Sequence, residues 1–201
     1  QENNLQTNPN IIAVSKTFNL DHIMPLINYG HLHYGENKIQ EAVKKWIDVK
    51  KKNKDLKLHF IGKLQTNKVK FALPLFDFIH SLDSLKLANK ISSLQSKINF
   101  KPNIFIQVNI GEEKQKNGVL INELNFFLKE CIENLDLNIV GLMCIPPNDG
   151  KSIEYFKKMK ILNNDTKLKE LSMGMSSDYL EAVNQGATFV RIGSKIFGER
   201  N

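Results

Sequence analysis

Three groups of residues in this 201-residue chain have types and spacings that could do chemistry together. The first is a lysine closing a short apolar run, Ile11-Ile12-Ala13-Val14-Ser15-Lys16. A buried strand that delivers a lysine to its carboxyl end puts an amine where α/β folds keep their sites. An ammonium there is costly unless it is paired or loses its proton, and a neutral lysine is a nucleophile towards aldehydes. The plain alternative is a surface lysine at the end of a core strand. The second group is Ser172-Met173-Gly174-Met175-Ser176-Ser177. Gly and Ser at a strand-to-helix turn free backbone N–H groups to point at an anion. Its alternative is an N-cap, with Ser176 or Ser177 capping the next helix and nothing bound. The third group is Arg191-Ile192-Gly193-Ser194, a second set of donors beside an arginine. Of the 28 basic residues 26 are lysine, so a lone arginine inside an apolar strand points to a need for the planar, always-charged guanidinium. Arg191 stands two residues before Gly193, on the same side of a strand, so both face the same way.

These groups need a scaffold that brings their ends together. Strand-like apolar runs fall at 11–16, 32–35, 57–62, 76–81, 103–110, 138–144, 169–173 and 188–192. Between them apolar residues recur at helical spacing: Ile39, Ala42, Val43 and Trp46; Leu87, Ala88, Ile91 and Leu94; Ile121, Leu124, Leu128, Cys131, Ile132 and Leu135. Turn residues separate the units, among them Pro74, Pro102, Gly118 and Pro146-Pro147. This alternation predicts a compact (β/α)₈ TIM barrel, a single domain over 1–201. A doubly wound open sheet is the alternative, but no G-x-G-x-x-G and no Walker lysine motif is present. In such barrels the loops after the last two strands form the commonest phosphate site, so the two donor-rich loops together favour a phosphate-bearing ligand.

Composition removes other classes. The net charge of +7 is spread as lysine among abundant asparagine, and the densest run, Lys50-Lys51-Lys52-Asn53-Lys54, has no interleaved aromatics for base stacking. No nucleic-acid partner is expected. Cys131 and Cys144 have no metal-ligand spacing and read as reduced packing residues of a cytoplasmic protein. His31 and His33 flank Leu32 with no third ligand, so no metal site is expected. His59, in the alternating Leu58-His59-Phe60, reads equally as a satisfied barrel histidine or a ligand contact, and Lys63, Lys68 and Lys70 read as a solvated helix face. No signal-peptide core and no apolar run of membrane-spanning length occurs, so no membrane partner is expected.

An aldehyde-reactive lysine, a phosphate cup and an inward arginine together describe a pyridoxal 5′-phosphate site. Specific stretches carry a resemblance at this point: Ala13-Val14-Ser15-Lys16-Thr17, Tyr34-Gly35-Glu36-Asn37 with Gln40-Glu41, and His59-Phe60-Ile61-Gly62-Lys63-Leu64-Gln65-Thr66-Asn67-Lys68. Gly141-Leu142-Met143, Leu171-Ser172-Met173-Gly174-Met175-Ser176 and Val190-Arg191-Ile192-Gly193-Ser194-Lys195-Ile196-Phe197-Gly198 continue it. From about residue 11 to 200, in unbroken order, the chain resembles the YggS/PROSC family of pyridoxal phosphate homeostasis proteins, which share the fold of the amino-terminal barrel of alanine racemase. The resemblance implies that Lys16 is the Schiff-base lysine, that Ser176, Gly193 and Ser194 hold the phosphate, that Asn37 lies near the cofactor, and that Arg191 faces the pyridine nitrogen. Where the family usually has Thr, Ser194 keeps the hydroxyl. The family's helix before the first strand is expected to be missing from this chain, where about ten polar residues precede Ile11.

An arginine at the ring nitrogen donates to an unprotonated pyridine and disfavours carbanion chemistry of the transaminase type. Alanine racemases manage proton exchange with the same arrangement, using a tyrosine base from a second domain that this chain is expected to lack. The expectation is therefore a monomeric, non-catalytic carrier that buffers the reactive aldehyde and serves apo-enzymes using the cofactor. The alternatives are a pyridoxal-phosphate-dependent amino-acid racemase with a substituted base and a barrel aldolase forming its Schiff base on a phosphosugar.

Overall fold

The computed structural model describes residues 8–199. The expectation of a missing leading helix falls within residues 1–7, outside that range. Eight parallel strands close into a barrel in chain order, with β8 pairing back onto β1. The strands are β1 (Asn10–Val14), β2 (His33–Glu36), β3 (Lys57–Phe60), β4 (Phe78–Leu82), β5 (Asn103–Gln107), β6 (Ile139–Met143), β7 (Glu170–Met175) and β8 (Phe189–Ile192). Helices α1 (Leu20–Asn28), α2 (Ile39–Lys52), α3 (Val69–Ala72), α4 (Leu85–Ile98), α5 (Leu124–Lys129), α6 (Ser152–Thr166), α7 (Tyr179–Asn184) and α8 (Ser194–Phe197) follow them. The expected (β/α)₈ barrel is the observed one.

Local chemistry explains the elements. Asn19 accepts the His22 N–H at 3.0 Å and so caps α1, and Ser84 accepts the Leu87 N–H at 3.4 Å and caps α4. In α2 the stripe Ile39, Ala42 and Trp46 is buried, as its spacing requires. Strand alternation splits the apolar residues into two layers. One side of the strands packs under the helices, with Leu58, Phe60, Ile79 and Ile104 against Trp46, Ile91 and Phe156. The other side fills the barrel with Ile12, Phe105, Met143 and Phe189, joined by the partly buried Phe78 and Val140.

Two expectations change at element ends. The run 103–110 leaves the sheet after Gln107, with Val108 bridging Val119 instead. The helical stretch from Ile121 to Leu135 divides into a 3₁₀ turn, α5 and a π turn over Glu130–Asn134. There the Leu135 N–H reaches the Glu130 carbonyl at 3.1 Å, which widens the last turn and lets Leu137 fold back into the core. Among the described residues no helix is long and apolar enough to cross a membrane. Cys131 and Cys144 are free and buried, and burial pushes both thiols up to about 12.

Candidate functional site

The end of β1 is fastened before it delivers its lysine. The Ser15 N–H donates to the Gly35 carbonyl at 3.0 Å, and Lys45 Nζ donates to the Ser15 carbonyl at the same distance. Glu36, which is fully buried, gathers three donors on one carboxylate oxygen: the Ser15 hydroxyl at 2.7 Å, Trp46 Nε1 at 2.9 Å and Lys45 Nζ at 2.9 Å. A buried carboxylate is tolerable only with such partners, and here they tie β1 and β2 to α2. Immediately beyond, Thr17 takes φ +73°, a conformation that β-branched residues rarely adopt. The chain thus turns sharply at Lys16, which is half-buried at the barrel mouth.

The loops after β7 and β8 lie beside this turn, since β8 pairs with β1. Gly174 has φ +91°, and a Cβ there would sit 2.5 Å from the Ala182 side chain, so the bend at the end of β7 requires glycine. The Met175 N–H donates to Asp178 Oδ1 at 2.7 Å, so the side-chain contact at this turn comes from Asp178 and not from Ser176 or Ser177 as the capping alternative had it. Ser176 Oγ instead accepts the Gly193 N–H at 3.1 Å, stitching the two donor-rich loops together. Behind Gly193, Phe18 packs 5.2 Å from Phe197 and 4.8 Å from His22, and His22 Nε2 donates to the Phe197 carbonyl at 3.0 Å. These contacts anchor α8.

Arg191 lies below this rim, 5 % exposed. Its Nη1 donates to Ser172 Oγ at 2.6 Å and its Nη2 to the Cys144 carbonyl at 2.9 Å. Burial lowers its proton affinity from the ordinary value, but guanidinium keeps its charge in proteins.

A cleft of about 790 Å³ opens at the mouth, and Lys16, Asn37, Ser176, Arg191, Gly193 and Ser194 all line it. The structure therefore brings all six sequence-predicted site residues to one place. Val14, Phe18, Ile61, Ile145 and Met175 supply its apolar walls. The donor set is the Lys16 and Lys195 amines, the Ser176, Ser177 and Ser194 hydroxyls, the Asn37 amide, loop N–H groups and the Arg191 guanidinium, which suits an aldehyde, a phosphate monoester and an unprotonated ring nitrogen. A 201-residue chain with abundant lysine presents few carboxylates here: among the described lining residues Glu199 is the one acidic side chain.

Other candidates fall elsewhere. Lys63 donates to Asn117 at 2.8 Å, and Lys70 lies over the Phe71 ring. His59 does not line the cleft; it is buried beneath it between His33 and His80. Ser172, grouped by sequence with Ser176, lies deeper, under Arg191. Sequence reading missed the Glu36–Lys45–Trp46 brace and the Cys144 carbonyl. A glutamate closing a buried strand, nine and ten residues before Lys45 and Trp46, was the available signal for the first. A backbone carbonyl leaves none.

A family model described as the alanine racemase N-terminal domain matches residues 2–201. The chain is 40 % identical over 199 residues to the pyridoxal phosphate homeostasis protein of Aquifex aeolicus, covering 94 % of this chain and 86 % of that protein. It is similar to the structure of PipY of Synechococcus elongatus with pyridoxal phosphate bound, with TM-score 0.87 and 33 % identity, over 96 % of this chain and 95 % of that one. An alanine racemase from Clostridium difficile shares the fold at 14 % identity, with TM-score 0.75, over 98 % of this chain and 53 % of that one.

Proposed function

The chain belongs to the alanine racemase N-terminal domain family, among the pyridoxal phosphate homeostasis proteins, and from that premise we propose that it binds pyridoxal 5′-phosphate in the mouth cleft and maintains its intracellular level. The observation that carries this reading is the convergence of Lys16, the linked Ser176–Gly193 loops and Arg191 on one cleft. The similarity to PipY, whose structure holds the same compound, supports it.

Lys16 Nζ is the amine that would hold the aldehyde as a Schiff base, by a condensation that releases one water. Ser176, Gly193 and Ser194 would take the phosphate through hydroxyl and loop N–H donors, the Gly193 N–H leaving Ser176 Oγ to do so. Asn37 orients the ligand from the β2 side. Arg191 spends two of its N–H groups on Ser172 and Cys144 and offers the others to the ring nitrogen. When bound, the compound supplies an electrophilic carbon conjugated to a ring. A permanently protonated guanidinium leaves that ring nitrogen unprotonated and weakens the electron sink that carbanion chemistry needs. No tyrosine or histidine lines the cleft among the described residues, where Lys195 and Glu199 are the titratable side chains besides Lys16 and Arg191, so the tyrosine base of the racemases has no counterpart there. The relatives carry the name of homeostasis proteins and not of enzymes. We therefore assign a non-catalytic, cytoplasmic, monomeric carrier that passes the compound to apo-enzymes, with no metal, nucleic-acid or membrane partner.

Mixing the protein with pyridoxal phosphate is expected to give the visible absorbance of a protein-bound imine. Borohydride is expected to fix one adduct on Lys16, and Lys16→Ala to abolish both signals. No band and no Lys16 adduct overturns the binding mode. Lys16-dependent exchange of α-deuterium into amino acids overturns the assignment as a carrier and favours a racemase.

A further inference from the structure

A line of hydrogen-bonded side chains crosses the barrel interior beneath the cleft. His33 Nδ1 lies 2.9 Å from His59 Nε2, His59 Nδ1 lies 2.9 Å from His80 Nε2, and His80 Nδ1 lies 3.0 Å from Ser172 Oγ, which receives Arg191 Nη1. His59, His80 and Ser172 are fully buried. We propose that His33, His59, His80 and Ser172 form a hydrogen-bonded array with a single direction, and that this array positions the Arg191 guanidinium for its ligand.

The direction follows from what each atom can do. Guanidinium only donates, so Ser172 Oγ accepts from Arg191. The buried Ser172 hydroxyl must place its own hydrogen, and His80 Nδ1 is the other partner shown at that oxygen. His80 Nδ1 then accepts, so the proton of its neutral ring sits on Nε2 and is donated to His59 Nδ1. The same step repeats: His59 donates from Nε2 to His33 Nδ1, and the remaining His33 Nε2–H lies at the partly exposed end. The reverse order would give Ser172 Oγ two incoming donors and strand its own hydrogen in a buried site.

The surroundings hold the rings neutral and in plane. His59 stacks on Phe78 at 4.2 Å and His80 on Phe105 at 4.3 Å, with Phe189 edge-on to His80. Burial, aided by neighbouring positive groups, keeps His59 and His80 well below the ordinary imidazole range. Arg191 faces His80; Lys50 and His31 face His59; His31, Lys57 and Asp77 face His33, with Asp77 alone opposing the shift. An imidazolium next to Arg191 would push the guanidinium off Ser172. A line of neutral rings ending in a hydroxyl that accepts instead pulls it into place.

The tautomers are read by ¹⁵N NMR on the protein without pyridoxal phosphate, so this order is tested apart from the proposed function, on which only the role towards the ligand rests. His33, His59 and His80 are expected to carry their protons on Nε2 at pH 7. A proton on Nδ1 of His59 or His80, or a charged ring at either, overturns the array. In His59→Phe, with His59→Gln as the substitute if the phenyl ring prevents folding, His33 loses its donor and is expected to populate both tautomers, while the His80 Nε2–H loses its acceptor and its signal is expected to move with the proton still on Nε2, because Ser172 continues to hold Nδ1. The His22 signals are expected to stay. The loaded variant is expected to release pyridoxal phosphate several-fold faster than the unsubstituted protein. An unchanged release rate, or an unchanged His80, overturns the positioning role.

Discussion

Outside the sheet, Trp46, Leu58, Phe60 and Phe156 pack as a continuous apolar jacket between strands and helices; inside it, imidazoles, a serine and an arginine run through a small aromatic cluster. Both regions are buried, yet they hold by different means. The jacket gains from area removed from water and needs only shape and volume. The interior buries polar groups and depends on every donor finding an acceptor, which makes it less tolerant of a change in protonation. The jacket fixes where the strands end. The interior fixes how Arg191 points at one of those ends.

The comparison breaks if the two regions respond alike to perturbation. The largest effect is expected from Trp46→Ala, which empties a fully buried site in the jacket and removes a donor from Glu36. A loss of about 3–5 kcal/mol in denaturant unfolding is expected, with little change in its pH dependence. The pH effect belongs to the interior. His59 and His80 have folded proton affinities depressed by burial, so below the unfolded value the unfolded chain binds more protons. Stability is therefore full above about pH 6.5 and falls as the solution is acidified, by roughly 1.4 kcal/mol per pH unit for each ring. His59→Phe removes one of these contributions, and a midpoint-versus-pH series measures the flatter slope. The smallest effect is expected from Ser172→Ala, which leaves one Arg191 N–H without its acceptor. About 1–3 kcal/mol is expected, read by the same unfolding series. A flat acid limb in the unsubstituted protein would show that the interior histidines titrate normally and that the contrast is mistaken.

Much of the site could be read along the chain because the barrel rule places chemistry at strand ends. Lys16, Asn37, Ser176, Gly193 and Ser194 each follow a strand, and closure of the barrel brings them together. The interior was less legible. His33, His59 and His80 lie on three separate strands and carry no shared motif, and only strand register sets them side by side. Glu36 could be seen in the sequence as an odd carboxylate in a strand, but its three donors come from two other elements. Ser172 and Ser176 are neighbours in sequence with different places in the fold, because the bend at Gly174 intervenes.

By itself the sequence determined the alternation of strands and helices, since side-chain periodicity is a local property. It also placed a lysine, two donor-rich loops and a rare arginine at strand ends. The tertiary structure decided which of these face one cleft, what fastens the strand before Lys16, and where the second face of Arg191 is spent. Those outcomes depend on hydrogen bonds between residues distant in sequence, whose distances and directions are set only when the barrel closes.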